Sequence, residues 1–239
     1  MTVESIGYLR REGRSFKRPF ATQCAYSTAS SGDDASPIGA GGNADRASMP
    51  MGGKNMASES AMDLIARQDW LERAAGTAQP IVNKTFNAGG IAGRKIKDFL
   101  RGAWFGHPLH PALTDVPLGA WTVALVFDVM AEGKGRKEYA RAAETAVAIG
   151  LVGAIGAAAT GMTDWSETGG RARRVGLMHG LLNAGSTALY GASLLLRRRG
   201  QRRAGRNLAY LGYAISMTSA YIGGHLVFNE RIGVDRPAQ

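Results

Sequence analysis

The stretch that decides the fold runs from Thr145 to Thr163 and reads TAVAIGLVGAIGAAATGMT. It contains no formal charge and is close to the length at which an α-helix crosses the hydrocarbon core of a bilayer. Small residues recur every four positions, which lets a second helix approach closely in lipid; they are Ala146, Gly150, Ala154 and Ala158. The stretch therefore predicts a transmembrane helix in the centre of its domain.

Three more apolar windows lie before and after this one, at residues 111–130, 175–196 and 207–229. The first is interrupted by Asp115 and Asp128 and is the weakest of the four as a span. A water-soluble protein with unusually apolar helices is the alternative, but charge-free windows separated by basic connectors are typical of membrane proteins. We predict an all-α integral membrane protein, with a four-helix bundle over residues 106–230.

Charge is segregated from these windows, although the mean hydropathy of −0.13 is that of an average soluble protein. The 239 residues carry 29 basic and 19 acidic side chains, a net charge of +10. The basic residues cluster beside the predicted spans without a nucleic-acid-binding motif, which favours lipid headgroups over nucleic acid as their partner. The single cysteine, Cys24, excludes an internal disulfide and a cysteine-based metal centre held by this chain alone.

The two ends of the chain are predicted to be tails, at residues 1–60 and 231–239. The first is rich in Gly, Ser, Ala and Asp and shows no apolar period, which predicts disorder. Its basic start is not followed by an apolar run, so a cleaved signal peptide is not expected. A translation start at one of the later methionines, and an organelle transit peptide, are the alternatives for this segment.

Residues 61–105 are predicted to form amphipathic helices that lie at the membrane interface. From Met62 to Ala75 and from Ile91 to Trp104, apolar residues recur at helical spacing and charged residues occupy the other face. The basic face of the second segment suits a helix in an anionic headgroup layer. A soluble helix packed on the bundle is the alternative.

The histidines of the chain all fall within or beside the predicted spans. Because adjacent spans are antiparallel, four spans place these histidines and two aspartates in one leaflet. Ionisable groups in membrane segments are costly and are usually functional where they are retained. The predicted cluster consists of His107, His110, Asp115, Asp164, His179 and His225.

Imidazole chemistry offers several functions for this cluster. His179 and His225, on facing helices at matching depth, are candidate axial ligands of haem b. His107, His110, Asp115 and Asp164 are candidate ligands of a transition metal such as Zn²⁺, Cu²⁺ or Fe²⁺. A proton relay, or hydrogen bonding to neighbouring helices without any cofactor, are the alternatives. No nucleophile–base pair or two-carboxylate site is recognisable, so no catalytic residue is predicted.

At these residues the chain resembles a bacterial membrane family known as domain of unknown function 2231. The resemblance covers about residues 92–235 and implies a four-span, multi-pass protein of the bacterial inner membrane, some of whose relatives continue into a Rieske iron–sulfur domain. This chain has no Cys-x-His pair and cannot itself hold a Rieske cluster. The matching motifs are Gly106 to Pro111, Asp115 to Gly119, Asp128, Gly161 to Trp165, His179 with Asn183, and Gly223 to Phe228.

The function predicted from these observations is a membrane anchor or electron-transfer partner of a redox protein of the Rieske type. The same prediction includes a haem or metal site in one leaflet of the membrane, and it allows the protein to form a homo-oligomer. The alternative is a structural assembly module without a cofactor. The arginine-rich connector between residues 197 and 206 predicts that the connectors are cytoplasmic and the termini external.

Overall fold

The computed structural model describes residues 56–132 and 137–232, and their side chains from residue 61 onward. These residues form seven helices and no strand, so the all-α prediction is confirmed. Nearly all of the predicted N-terminal tail and residues 233–239 lie outside the described part, and the first helix begins at Met56. The helices are α1 (Met56–Ala66), α2 (Asp69–Ala88), α3 (Gly90–Leu100), α4 (Leu109–Met130), α5 (Lys137–Trp165), α6 (Gly170–Arg198) and α7 (Arg202–Phe228).

The four predicted apolar windows correspond to the four long helices, α4 to α7. The most extensive contacts are α4 with α5 and α6 with α7, and smaller contacts join α5 to α6 and α4 to α7. Within the described residues, α4 and α5 are long and apolar enough to cross a membrane. Polar residues in α6 and α7, such as His179, Asn183 and Ser219, lower the hydropathy of those two helices. By length and composition, the described structure therefore contains two candidate membrane-spanning helices.

The distribution of polarity over the four long helices is the reverse of that in a water-soluble protein. Val152 and Ile155 are 73% and 70% exposed, whereas Thr163 and Ser186 are fully buried. An exposed apolar surface of this kind is typical of a face that contacts a membrane or another protein. Further buried polar residues are Asp128, Thr160, Asp164, Ser193, Arg197, Ser216, Ser219 and His225.

An aromatic pair forms the centre of the four-helix domain. Trp121 of α4 stacks on Tyr190 of α6, with ring centroids 3.9 Å apart and planes 13° apart. Alanine and valine side chains of α4, α5 and α7 surround the pair. Gly150 faces the indole of Trp121, and a Cβ there would lie 2.2 Å from its Nε1. The small residue is therefore required for α4 and α5 to pack at this distance.

The predicted segment Met62–Ala75 is not one helix, because the chain breaks between α1 and α2. Gln68 has extended backbone and precedes α2, which then continues to Ala88 with Pro80 inside it. The buried side chain of Met62 packs with Val175 and Ile222. Arg173 and Arg174 of α6 pair with the single carboxylate of Glu72 in α2. These contacts join α1 and α2 to one end of the four-helix domain.

The end of α6 is set by Gly200. Its φ of +80° lies in the left-handed region that glycine adopts without strain. The backbone N–H of Gln201 then donates to the carbonyl of Leu196, and the N–H of Gly200 to that of Arg197. This pattern closes the helix and turns the chain into α7 within a few residues.

Candidate functional site

His110 lies in the first turn of α4 and is held by the facing helix. Its Nδ1 is 2.9 Å from the carbonyl oxygen of Ala157 in α5, to which only a protonated Nδ1 can donate. The imidazole lies directly over Gly161, where a Cβ would be 2.7 Å from its Cε1. The carbonyl and the glycine together fix the orientation of the ring.

His179 of α6 has a similar environment on α7. Its Nδ1 is 2.9 Å from the carbonyl oxygen of Ser219, and its ring lies over Gly223, whose Cβ would be 2.8 Å from Cε1. The amide Nδ2 of Asn183, one turn along the same helix, donates to Nε2 at 3.0 Å. Asn183 therefore helps to orient the ring of His179 by a direct contact.

The structure brings His110 and His179 together. Their ring centroids are 6.2 Å apart and their planes are almost perpendicular, at 87°. His110 belongs to the α4–α5 pair of helices and His179 to the α6–α7 pair, so this contact joins the two pairs.

His225, the predicted partner of His179, is buried elsewhere at the end of α7. Its Nε2 has no hydrogen bond in the described structure and is 3.8 Å from Oε1 of Glu230. Glu230 in turn accepts a 2.8 Å hydrogen bond from Arg171 of α6, and Arg171 also pairs with Asp63 of α1. His225 therefore adjoins a charged network at the surface where α1 covers α6 and α7.

The other predicted ligands are dispersed. His107 is exposed in the turn before α4, where its ring meets Phe105 edge-on at 5.9 Å. Asp115 lies on an exposed face of α4, whereas Asp164 is buried at the end of α5. Among the described residues, no group of three or more His, Cys, Asp or Glu has an arrangement that could hold a metal ion. The structure thus does not gather His107, His110, Asp115 and Asp164 into one metal-binding group.

A buried ion pair, which was not predicted from the sequence, occupies the opposite end of the domain. Both carboxylate oxygens of Asp128 accept hydrogen bonds from Arg197, at 2.7 and 2.5 Å. Arg197 also donates from Nε to Oγ of Ser193 at 3.0 Å. With exposed fractions of 2% and 4%, Asp128 and Arg197 form a bidentate pair shielded from solvent.

These features define an all-α membrane protein whose polar side chains are collected in its interior. A family model described as predicted membrane protein (DUF2231) matches residues 106–236, more than half of the chain. The protein belongs to this family, which confirms the resemblance given by its histidine and glycine motifs. Comparison with curated proteins and with solved structures gives no match.

Proposed function

We propose that the protein is a four-span protein of the bacterial inner membrane that anchors a partner protein to the bilayer, a redox protein of the Rieske type being the first candidate. The exposed apolar and buried polar residues of α4 to α7 carry the membrane-spanning part of this proposal, and the partner is suggested by the resemblance to a family with Rieske-fused members. Many interior polar groups form hydrogen bonds with one another. For example, Oγ of Ser186 in α6 donates to the carbonyl oxygen of Gly212 in α7 at 2.9 Å. Such bonds hold helices together in lipid.

The outward faces of α6 and α7 support spans by these two helices as well. Leu195 of α6 is 56% exposed, and Leu211 and Phe228 of α7 are 52% and 84% exposed. Three serines that lower the hydropathy of these helices point the other way: Ser186, Ser193 and Ser219 are fully buried. A helix with this division can face lipid on one side and the protein interior on the other.

The segment that precedes α4 has the character of a membrane-surface element. Ile96, Phe99 and Trp104 are all more than half exposed, so the apolar face of α3 is not packed on the rest of the described structure. The rings of Phe99 and Trp104 stack at 5.6 Å. Aromatic residues beside basic ones at the start of a span favour the headgroup layer over water.

Cysteine labelling on the two sides of the membrane tests the four-span arrangement. In a Cys24→Ser background, single cysteines at Gly169, Gln201 and Asn229 report the ends of α6 and α7. Gln201 is used instead of Gly200, because the positive φ of Gly200 would strain a cysteine there. We expect a membrane-impermeant maleimide to label Gly169→Cys and Asn229→Cys in right-side-out vesicles, and Gln201→Cys in inside-out vesicles. Labelling of all three sites from one side would exclude spans by α6 and α7, and inverted labelling would reverse the proposed orientation.

Electron transfer through a haem that uses His225 as an axial ligand is the second candidate function, although His225 faces away from His179, its predicted partner. It is favoured by the buried Nε2 of His225, which has no hydrogen bond in the described structure, because an imidazole nitrogen with a free lone pair is a potential iron ligand.

Absorption spectra separate the two candidates. If haem is bound, the purified protein should show a Soret band that shifts on reduction with dithionite, and His225→Leu should abolish the band, while His107→Leu, which changes an exposed histidine, should preserve it. A colourless protein that inserts normally would remove the haem candidate and leave the anchor proposal standing.

A further inference from the structure

Helices α4 and α6 carry matching residues at equal intervals. Trp121 follows His110 by 11 residues, and Tyr190 follows His179 by 11 residues. Asp128 and Arg197 stand 18 residues after those same histidines. Each matched pair is also in contact: imidazole with imidazole at 6.2 Å, indole on phenol at 3.9 Å, and carboxylate with guanidinium.

Helices α5 and α7 repeat in the same way. Gly150 and Gly161 are 11 residues apart, as are Gly212 and Gly223. In each half, one glycine lies against the imidazole and the other against the aromatic ring of the preceding helix. The carbonyl that accepts from the imidazole Nδ1 stands four residues before the second glycine in both halves, at Ala157 and at Ser219.

The burial pattern agrees with this correspondence. The four buried residues of α4 are Pro117, Trp121, Ala124 and Asp128. A constant shift of 69 residues places all four on buried residues of α6, namely Ser186, Tyr190, Ser193 and Arg197. The α4–α5 and α6–α7 hairpins are thus two versions of one structural unit, related by a pseudo-two-fold axis between α4 and α6. At 1.5 Å per residue, the contacts on this axis extend over about 27 Å, close to the hydrocarbon thickness of a bilayer.

We propose that the pair of imidazoles on this axis, His110 and His179, binds one divalent transition-metal ion. Sites at the junction of two structural repeats are common in membrane proteins, and helix bundles build metal sites from side chains on facing helices. Two imidazoles on opposite sides of one ion, as in tetragonal Cu²⁺ sites, with metal–nitrogen bonds of about 2.0–2.1 Å, place their ring centres about 6 Å apart. The observed 6.2 Å fits this requirement.

In both rings the hydrogen bond at Nδ1 leaves Nε2 as the nitrogen that can bind a metal ion. Because Nδ1 of each histidine donates to a backbone carbonyl, the neutral ring carries its lone pair on Nε2. Donation of the other ring N–H to a carbonyl is the usual outer-shell support of a histidine ligand. The amide of Asn183 donates to Nε2 of His179, so it is displaced when the ion binds.

Metal titration of the chelator-treated, detergent-solubilised full chain tests this site, with Cu²⁺ as the probe and Zn²⁺ as competitor. We expect one Cu²⁺ per chain, with an electron paramagnetic resonance spectrum that shows two coupled imidazole nitrogens. His110→Asn and His179→Asn should each lower the affinity by at least about 10- to 100-fold, the range seen even for outer-shell changes, and remove one nitrogen coupling. His107→Asn is the matched control and should bind Cu²⁺ as the unchanged protein does.

Asn183→Ala distinguishes metal binding from a purely structural pair. If Asn183 only competes with the ion, this variant retains the site and binds Cu²⁺ at least as tightly. Binding that is equal in all histidine variants, or a spectrum with one nitrogen, would overturn the proposal; so would a Soret band that requires His110, because the pair would then hold haem. Labelling of α6 and α7 ends is measured separately, so failure of the metal site leaves the four-span proposal untouched.

Discussion

Arg197→Ala is expected to lower the free energy of unfolding by about 3–5 kcal/mol, the range for breaking a buried ion pair by removing one partner. The guanidinium donates to both oxygens of Asp128, and both residues are almost completely buried. Alanine at position 197 leaves the buried carboxylate of Asp128 without its bidentate partner. The loss can be measured by denaturant titration in mixed micelles or by thermal unfolding in detergent.

Two variants sharpen this test. Arg198→Ala is the control. It removes the neighbouring guanidinium, which is largely exposed and whose Nε lies 3.8 Å from Oε1 of Glu144. A pair of this kind contributes at most about 1 kcal/mol to stability. The exchange Asp128→Arg with Arg197→Asp keeps both charges on the axis, and it should recover part of the stability that either single change loses. A loss at Arg197 no larger than that at Arg198 would contradict a stabilising role for the buried pair.

The long helices could be predicted from sequence because their signal is local. The charge-free stretch from Thr145 to Thr163 lies wholly inside α5, and each other window coincides with one long helix. In the structure the helices extend beyond these apolar windows by polar turns at their ends, for example from Lys137 to Glu144 in α5. The break at Gln68 was not predicted because no proline or glycine marks it.

The contact partners of the site residues could not be predicted. The sequence indicates how deep a residue lies in a span, but not which neighbouring helix its side chain faces. His179 contacts Ser219 and Gly223 of α7. His225 is two residues beyond Gly223, about 200° around a helix of 3.6 residues per turn, so it faces away from His179. The equal spacing of His110 to Trp121 and His179 to Tyr190 was the available signal for the pair that does form, and it becomes visible only when the two hairpins are aligned.

Gly150→Ala is the second substitution with a large expected effect, a destabilisation of about 1–3 kcal/mol by overpacking. A Cβ at this position would lie 2.2 Å from Nε1 and 2.4 Å from Cδ1 of Trp121. The indole cannot retreat, because Tyr190 is stacked on it at 3.9 Å. The added methyl group must therefore separate α4 from α5 or break the aromatic pair.

The pseudo-symmetry of the two hairpins supplies graded controls for this prediction. Alanine at the equivalent Gly212 would place its Cβ 3.1 Å from the ring of Tyr190, a milder contact, and at Gly156 the nearest atom is Cδ1 of Leu113 at 3.9 Å. All three changes raise helix propensity by the same amount, so only packing differs. Thermal unfolding in detergent should rank the losses as Gly150→Ala, then Gly212→Ala, with Gly156→Ala neutral or stabilising. Equal effects at all three positions would mean that the close approach of α5 to Trp121 does not limit stability.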